Sequence, residues 1–125
     1  MTSVFICDDE PDYRALLRAA VEAEPDFTFA GEAGNGFEGV RAVAELQPDV
    51  VLLDLTMPEL DGLDALMGVR KLSPETIRVV VTGHRSAWVR GESQAAGADL
   101  FLSKDMSPTD ICRAVRELMG ERELV

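Results

Sequence analysis

The sequence predicts an α/β fold of the doubly wound kind, a parallel five-stranded sheet with helices on both faces. Three observations predict it. Four short runs, Val4–Cys7, Val50–Leu53, Val79–Val81 and Leu100–Leu102, are apolar without alternation, as strands covered on both faces are. Segments of helical period lie between them, so strand and helix signals alternate five times along the chain. Each of the four runs is followed at once by side chains that can do chemistry.

The elements follow in order. After Val4–Cys7, a helix is predicted from Leu16, Leu17, Ala20 and Val21, which form one apolar stripe. Phe27–Ala30 is a fifth strand candidate, less hydrophobic and therefore placed at an edge. Val40, Val43, Ala44 and Gln47 form a weaker stripe. Val50–Leu53 precedes a helix that starts near Gly62 and carries Leu63, Leu66, Met67 and Leu72. After Val79–Val81, Ser86–Ala96 is the poorest helix, because Gly91 and two serines lower its propensity. After Leu100–Leu102, Ser107 is placed as N-cap and Pro108 at the first position of a helix carrying Ile111, Val115, Leu118 and Met119.

The 125 residues match one compact domain, and no repeat or linker divides 1–125. With 46% hydrophobic and 28% charged residues, the composition is that of a folded chain. A formal net charge of −11 argues against unaided binding to nucleic acid, and favours divalent cations and basic partner surfaces. Two cysteines, Cys7 and Cys112, are too few for a disulfide framework, and with the single His84 they offer no zinc-ligand set. Met1-Thr2-Ser3 lacks a basic n-region, so no leader is expected, and no apolar run approaches the ~18 residues of a membrane span. A cytoplasmic protein is expected.

Carboxyl ends of the strands in an open parallel sheet share one edge, and ligands bind there where the strand order reverses. That edge would gather Asp8, Asp9 and Glu10 after the first run, Asp54 after the third strand, Thr82 after the fourth, and Ser103 and Lys104 after the last. Carboxylates ~4 Å apart repel by about 4 kcal/mol per pair at an effective dielectric near 20. Either one of them stays protonated or a cation shares the site. An all-oxygen set with room for water suits Mg²⁺, which readily adds a phosphate to its shell. Lys104, one of only two lysines, would supply a point charge to that phosphate.

Five segments now stand in order at the predicted strand ends: Asp8-Asp9, Asp54-Leu55-Thr56-Met57-Pro58 followed by Asp61-Gly62, Thr82-Gly83, Gly97-Ala98-Asp99, and Phe101-Leu102-Ser103-Lys104. In these segments the chain resembles, over its full length, the receiver (CheY-like) domain of two-component response regulators. The resemblance implies a flavodoxin-like (βα)5 fold with sheet order 2-1-3-4-5. It implies a phospho-switch rather than an enzyme, one that catalyses only its own phosphorylation and dephosphorylation. Asp54 would take a phosphoryl group from a sensor histidine kinase or a histidine phosphotransfer protein. Asp9, Asp54 and the Thr56 carbonyl would hold Mg²⁺ directly, and Asp8 through water. Lys104 would grip the phosphoryl group, Thr82 would move to hydrogen-bond it, and Phe101 would swing inward with Thr82. An output domain or partner would meet the fourth helix, fifth strand and fifth helix, and phosphorylation would promote a homodimer. The Lys104-Asp105-Met106-Ser107-Pro108 stretch looks most like receivers joined to LuxR-type DNA-binding domains. It also departs from the usual pattern, since Asp105 stands where proline, with a cis peptide before it, is common.

Simpler readings exist for each residue. Asp9 with Glu10 and Pro11 suits a helix N-terminus. Thr82 could be an N-cap, Lys104 a solvated side chain, and Phe101 plain core. Cys7 suits core and Cys112 a partly buried helix position, while His84 would face solvent and Trp88 would either meet a partner or anchor a weak helix. The rival function is a dinucleotide-binding module, because Gly34-Asn35-Gly36-Phe37-Glu38-Gly39 fits G-x-G-x-x-G and Asp54 follows where a ribose-binding acid would stand. Against it, these glycines follow the second, least hydrophobic strand, and the chain is too short for two mononucleotide halves with a catalytic domain. It also leaves Asp8, Asp9, Thr82 and Lys104 unexplained. A phosphatase with its own aspartyl phosphate would want an acid two residues after Asp54, where Thr56 stands.

Overall fold

The computed structural model describes residues 1–56, 62–83 and 87–123. Its elements are β1 (Thr2–Cys7), α1 (Pro11–Ala23), β2 (Phe27–Ala33), α2 (Gly36–Leu46), β3 (Val50–Leu53), α3 (Gly62–Leu72), β4 (Ile77–Thr82), α4 (Ala87–Ala96), β5 (Leu100–Ser103) and α5 (Pro108–Glu123). The strands form one parallel sheet in the order β2-β1-β3-β4-β5. This is the doubly wound (βα)5 arrangement, with the reversal of strand order between β1 and β3.

The unbroken apolar runs are explained by a core on each face. Val4 and Ile6, Val50 and Leu52, and Val79 and Val81 pack with Leu17 and Val21 of α1 and with Ile111, Cys112 and Val115 of α5. The alternate residues Phe5, Cys7, Val51, Leu53 and Val80 pack with Val43 of α2, Ala65, Leu66 and Val69 of α3, and Ala96 of α4. Both faces of the sheet exclude water, so an alternating pattern would have placed polar groups in a core.

Several boundaries move from the sequence expectation. β2 runs on to Ala33 past a bulge at Ala30, where the register against β1 shifts between Val4 and Phe5 and the pattern is interrupted. Gly31 sits there at φ 153°, with the Phe5 ring beneath it. Gln47 lies beyond α2 as a left-handed C-cap at φ 48°, its side-chain amide donating to Ala44 O at 2.7 Å and Leu72 O at 3.1 Å. Leu16, Met67 and Leu72 are more than half exposed, so the stripes centre instead on Leu17 and Val21 in α1 and on Ala65, Leu66 and Val69 in α3. α4 forms despite Gly91, since Ala96 and Ser93 are buried beneath it, and Ser93 Oγ donates to Val89 O at 2.7 Å. α5 starts as expected, with Ser107 Oγ accepting the Asp110 amide at 3.1 Å. Arg116 of α5 is fixed to the edge below β2, through Nε and Nη2 to both Asp26 carboxylate oxygens at 2.8 Å and through Nη2 to Glu24 at 2.7 Å.

Candidate functional site

The sheet ladder carries three of the predicted side chains into place. Beyond the strand ends the Asp8 amide donates to Ala33 O at 3.1 Å, the Asp54 amide to Cys7 O at 3.0 Å, and the Lys104 amide to Thr82 O at 3.0 Å. Backbone pairing thus continues one residue past β1, β3 and β5. Asp8, Asp54 and Lys104 meet at the switch point because their strands do.

Lys104 Nζ stands among the carboxylates, 2.8 Å from Asp8 Oδ2, 2.7 Å from Glu10 Oε1 and 3.2 Å from Asp54 Oδ2. Its ammonium also lies 4.6 Å from the centre of the Tyr13 ring. Burial raises the Asp8 carboxyl above its ordinary pKa, the Lys104 and Glu10 amide hydrogen bonds opposing it and the Asp54 charge adding to it. For Lys104 burial acts the other way, favouring the neutral amine. Its hydrogen bonds to Asp8 and Glu10 and the Asp54 charge outweigh that, and the net shift is upward. The ammonium therefore stays charged.

Around this pair is an open cleft of about 560 Å³, lined by Asp9, Glu10, Asp54, Thr56, Gly83 and Lys104. One oxygen from each of Asp8, Asp9, Glu10 and Asp54 lies within 4.8 Å of the others. Asp8 and Asp54 are buried and Asp9 and Glu10 exposed. Carboxylate oxygens alone, with open space on the solvent side, fit a hard, water-retaining cation and not a soft one. The Thr56 amide donates to Asp54 Oδ1 at 3.2 Å, which orients that carboxylate.

The other expectations resolve unevenly. Thr82 is the last residue of β4 and fully buried, beside Gly83 of the cleft. Phe101 is half-buried against the α2–α3–α4 core, with the Arg90 guanidinium 5.8 Å from its ring centre. Lys104 is no solvated side chain, its exposure being 16%. The N-cap of α1 is Glu10 rather than Asp9, and its side chain makes no capping bond. Cys7 and Cys112 are both buried and neither is in a disulfide, so Cys112 is core and not partly exposed. Trp88 is an exposed side chain on α4. No cis peptide occurs among the described residues, Lys104–Asp105 included. Met57, Pro58, Asp61, His84, Arg85 and Ser86 lie outside the described residues.

Glu10 was gathered with Asp8 and Asp9 at the strand edge but given no role there, and Tyr13 had no reading at all. Their signal is spacing, since residues three apart on a helix share a face. The direction of that face becomes visible only once α1 is docked.

The glycine loop has a structural explanation. A Cβ on Gly39 would press into the Cys7 sulfur, so this glycine serves the close packing of α2 on β1. Asn35 caps α2 with Oδ1 accepting the Glu38 amide at 2.8 Å, and the loop follows edge strand β2, away from the switch point. The dinucleotide reading is not favoured.

Comparison with known proteins agrees. The family model of the response regulator receiver domain matches residues 4–116. The chain belongs to this family. Among relatives of this receiver, the nitrate/nitrite response regulator protein NarL of Escherichia coli K12 is 35% identical over 92% of the chain and 53% of NarL. The chemotaxis protein CheY of Thermotoga maritima is 33% identical over 92% of the chain and 95% of CheY. The signal receiver domain of NarL from Mycobacterium tuberculosis superposes with a TM-score of 0.89 at 29% identity, covering 94% of each chain. The receiver spans about half the length of NarL and several other curated relatives. No helix among the described residues is long and apolar enough to cross a membrane.

Proposed function

We propose that this receiver is a cytoplasmic phospho-switch, phosphorylated on Asp54 by a sensor histidine kinase or a histidine phosphotransfer protein. The observation that carries this reading is the 3.2 Å approach of the Lys104 ammonium to the buried Asp54 carboxylate, at the mouth of a cleft open to solvent. In the transfer, an Asp54 carboxylate oxygen attacks phosphorus in line. The phosphorus–nitrogen bond of the phosphohistidine breaks, and the imidazole leaves with the electron pair, which takes up a proton. The product is an acyl phosphate, and water attacking the same phosphorus later restores the carboxylate and releases inorganic phosphate. Such transfer needs positioning and charge neutralisation more than covalent help.

Asp9, Asp54 and the Thr56 carbonyl are the proposed Mg²⁺ ligands, with Asp8 acting through water. When bound, Mg²⁺ neutralises charge on the phosphoryl oxygens and the carboxylates. Lys104 donates to one phosphoryl oxygen. Thr82, at the end of β4 beside Gly83, donates to another, and Phe101 follows the loop that Thr82 draws in. One bound group thereby biases a two-state element. The output partner or attached domain is placed on α4, β5 and α5, and a homodimer of the phosphorylated form would use the same face.

Intact mass after incubation with acetyl phosphate and Mg²⁺ tests this. The wild type gains one phosphoryl group and Asp54→Asn gains none. Equal gain by the variant, or no gain by the wild type, overturns the proposal.

A further inference from the structure

Lys104 has no hydrogen to spare. An ammonium carries three N–H donors and no acceptor, and its nitrogen has three carboxylate neighbours, Glu10 at 2.7 Å, Asp8 at 2.8 Å and Asp54 at 3.2 Å. A phosphoryl oxygen arriving on Asp54 can be gripped only if one of these partners lets go.

The three partners are not equivalent. The Asp8 and Asp54 side chains are 3% and 2% exposed, whereas Glu10 is 63% exposed. Glu10 released from Lys104 returns to water, whereas Asp8 released would remain a buried charge without its partner. Asp54 gives up its own charge only once the acyl phosphate has formed, so ahead of transfer Glu10 is the partner that yields. Glu10 also has nothing else to do locally. An acid at an N-cap ordinarily accepts an amide of the first turn, but Glu10 makes no such bond, and its own amide donates to Asp8 Oδ1 at 2.8 Å. Its carboxylate reaches instead to a residue 94 positions away in sequence. On the other side the ammonium rests on the Tyr13 ring, which it can keep while exchanging a carboxylate.

We propose that Glu10 is a positioning residue, an exchangeable tether that holds Lys104 ahead of phosphoryl transfer and is displaced by the incoming phosphoryl oxygen. This rests on Asp54 being the acceptor. The tether competes for the ammonium and adds a negative charge at the mouth of the cleft, so it slows acceptance from an anionic donor.

The test uses Glu10→Gln, which keeps the shape and removes the charge, with Glu10→Ala as a second variant and Asp54→Asn as the control. Phosphorylation by acetyl phosphate in Mg²⁺ is followed by intact mass, beryllofluoride affinity by titration, and Mg²⁺ affinity by calorimetry. Both variants should accept phosphate about two- to fivefold faster than wild type, the range that an exposed ion pair supports. They should bind beryllofluoride more tightly by a similar factor. The gap should close as salt is raised, with Mg²⁺ affinity falling by well under tenfold, as the loss of a nearby charge that does not ligate the ion would give. An equal or slower rate overturns the tether. So does a tenfold loss of Mg²⁺ affinity, which would make Glu10 a metal ligand. A wild type that neither gains phosphate nor binds beryllofluoride overturns the Asp54 reading itself, a result distinct from either.

Discussion

Lys104 Nζ lies 3.2 Å from Asp54 Oδ2, across 50 residues of sequence, and both side chains reach that point from the carboxyl ends of parallel strands. The contact joins β3 to β5, with β4 between them. It places the described cleft's single ammonium against its buried carboxylates. Removing that ammonium therefore leaves negative charge without compensation.

Lys104→Met should lower stability in metal-free buffer, by up to about 3 kcal/mol, because Asp8 and Asp54 stay buried without their partner. Saturating Mg²⁺ should recover part of the loss by replacing the missing positive charge. Urea denaturation with and without Mg²⁺ measures both quantities, and a deficit untouched by Mg²⁺ would contradict the electrostatic account.

Gly39→Ala should cost about 1–3 kcal/mol, the usual range for overpacking. The added Cβ meets the Cys7 sulfur, held by β1 on the far side of the contact. Cys7→Ala removes that sulfur, so the double variant should be more stable than the two single losses added together. Thermal melts of the four proteins in the cycle decide it, and simple additivity would disprove the clash.

Arg116→Ala should cost no more than about 1 kcal/mol, since the pair with Asp26 is exposed. The Arg116 hydrogen bonds hold the Asp26 carboxyl below its ordinary value of 3.8. A depressed carboxyl contributes stability that is present above its unfolded pKa and lost as pH falls through its folded one. The gap between wild type and variant should therefore be full at neutral pH and shrink below pH 3.8. Paired denaturation curves at pH 7 and pH 3 measure this.

Burial pushes the Cys7 thiol up to about 12 and the Cys112 thiol up to about 11, from 9.0. A folded pKa above the unfolded one means that the folded chain keeps a proton the unfolded chain gives up. Stability should then fall as pH rises above 9.0, by at most about 1.4 kcal/mol per pH unit for each thiol. Cys112→Ala should flatten that slope. In the native state at pH 8 neither thiol should react with an aromatic disulfide reagent, and both should react after unfolding.

Much of this protein was legible before folding. Val50–Leu53 reads as a doubly covered strand because neither face of β3 meets water, and Asp54 is conspicuous because such a strand has no structural use for a carboxylate at its end. Ser107 and Pro108 mark the start of α5 through chemistry local to the backbone. β2 was shortened because the bulge at Ala30 breaks a two-residue period, and Gln47 was taken into α2 because one-dimensional spacing cannot register a left-handed cap.

By itself the sequence determined the alternation of elements, the sheet edge on which the acids gather and the residues that make the family recognisable, since periodicity and strand-end chemistry are local properties. Only the tertiary structure decided that Glu10 turns from its own helix toward Lys104, that Tyr13 lies beneath that ammonium, and that Gly39 exists for Cys7. Those contacts depend on the docking of α1 and α2 against the sheet, and packing distances between elements are set by the whole core rather than by any one segment.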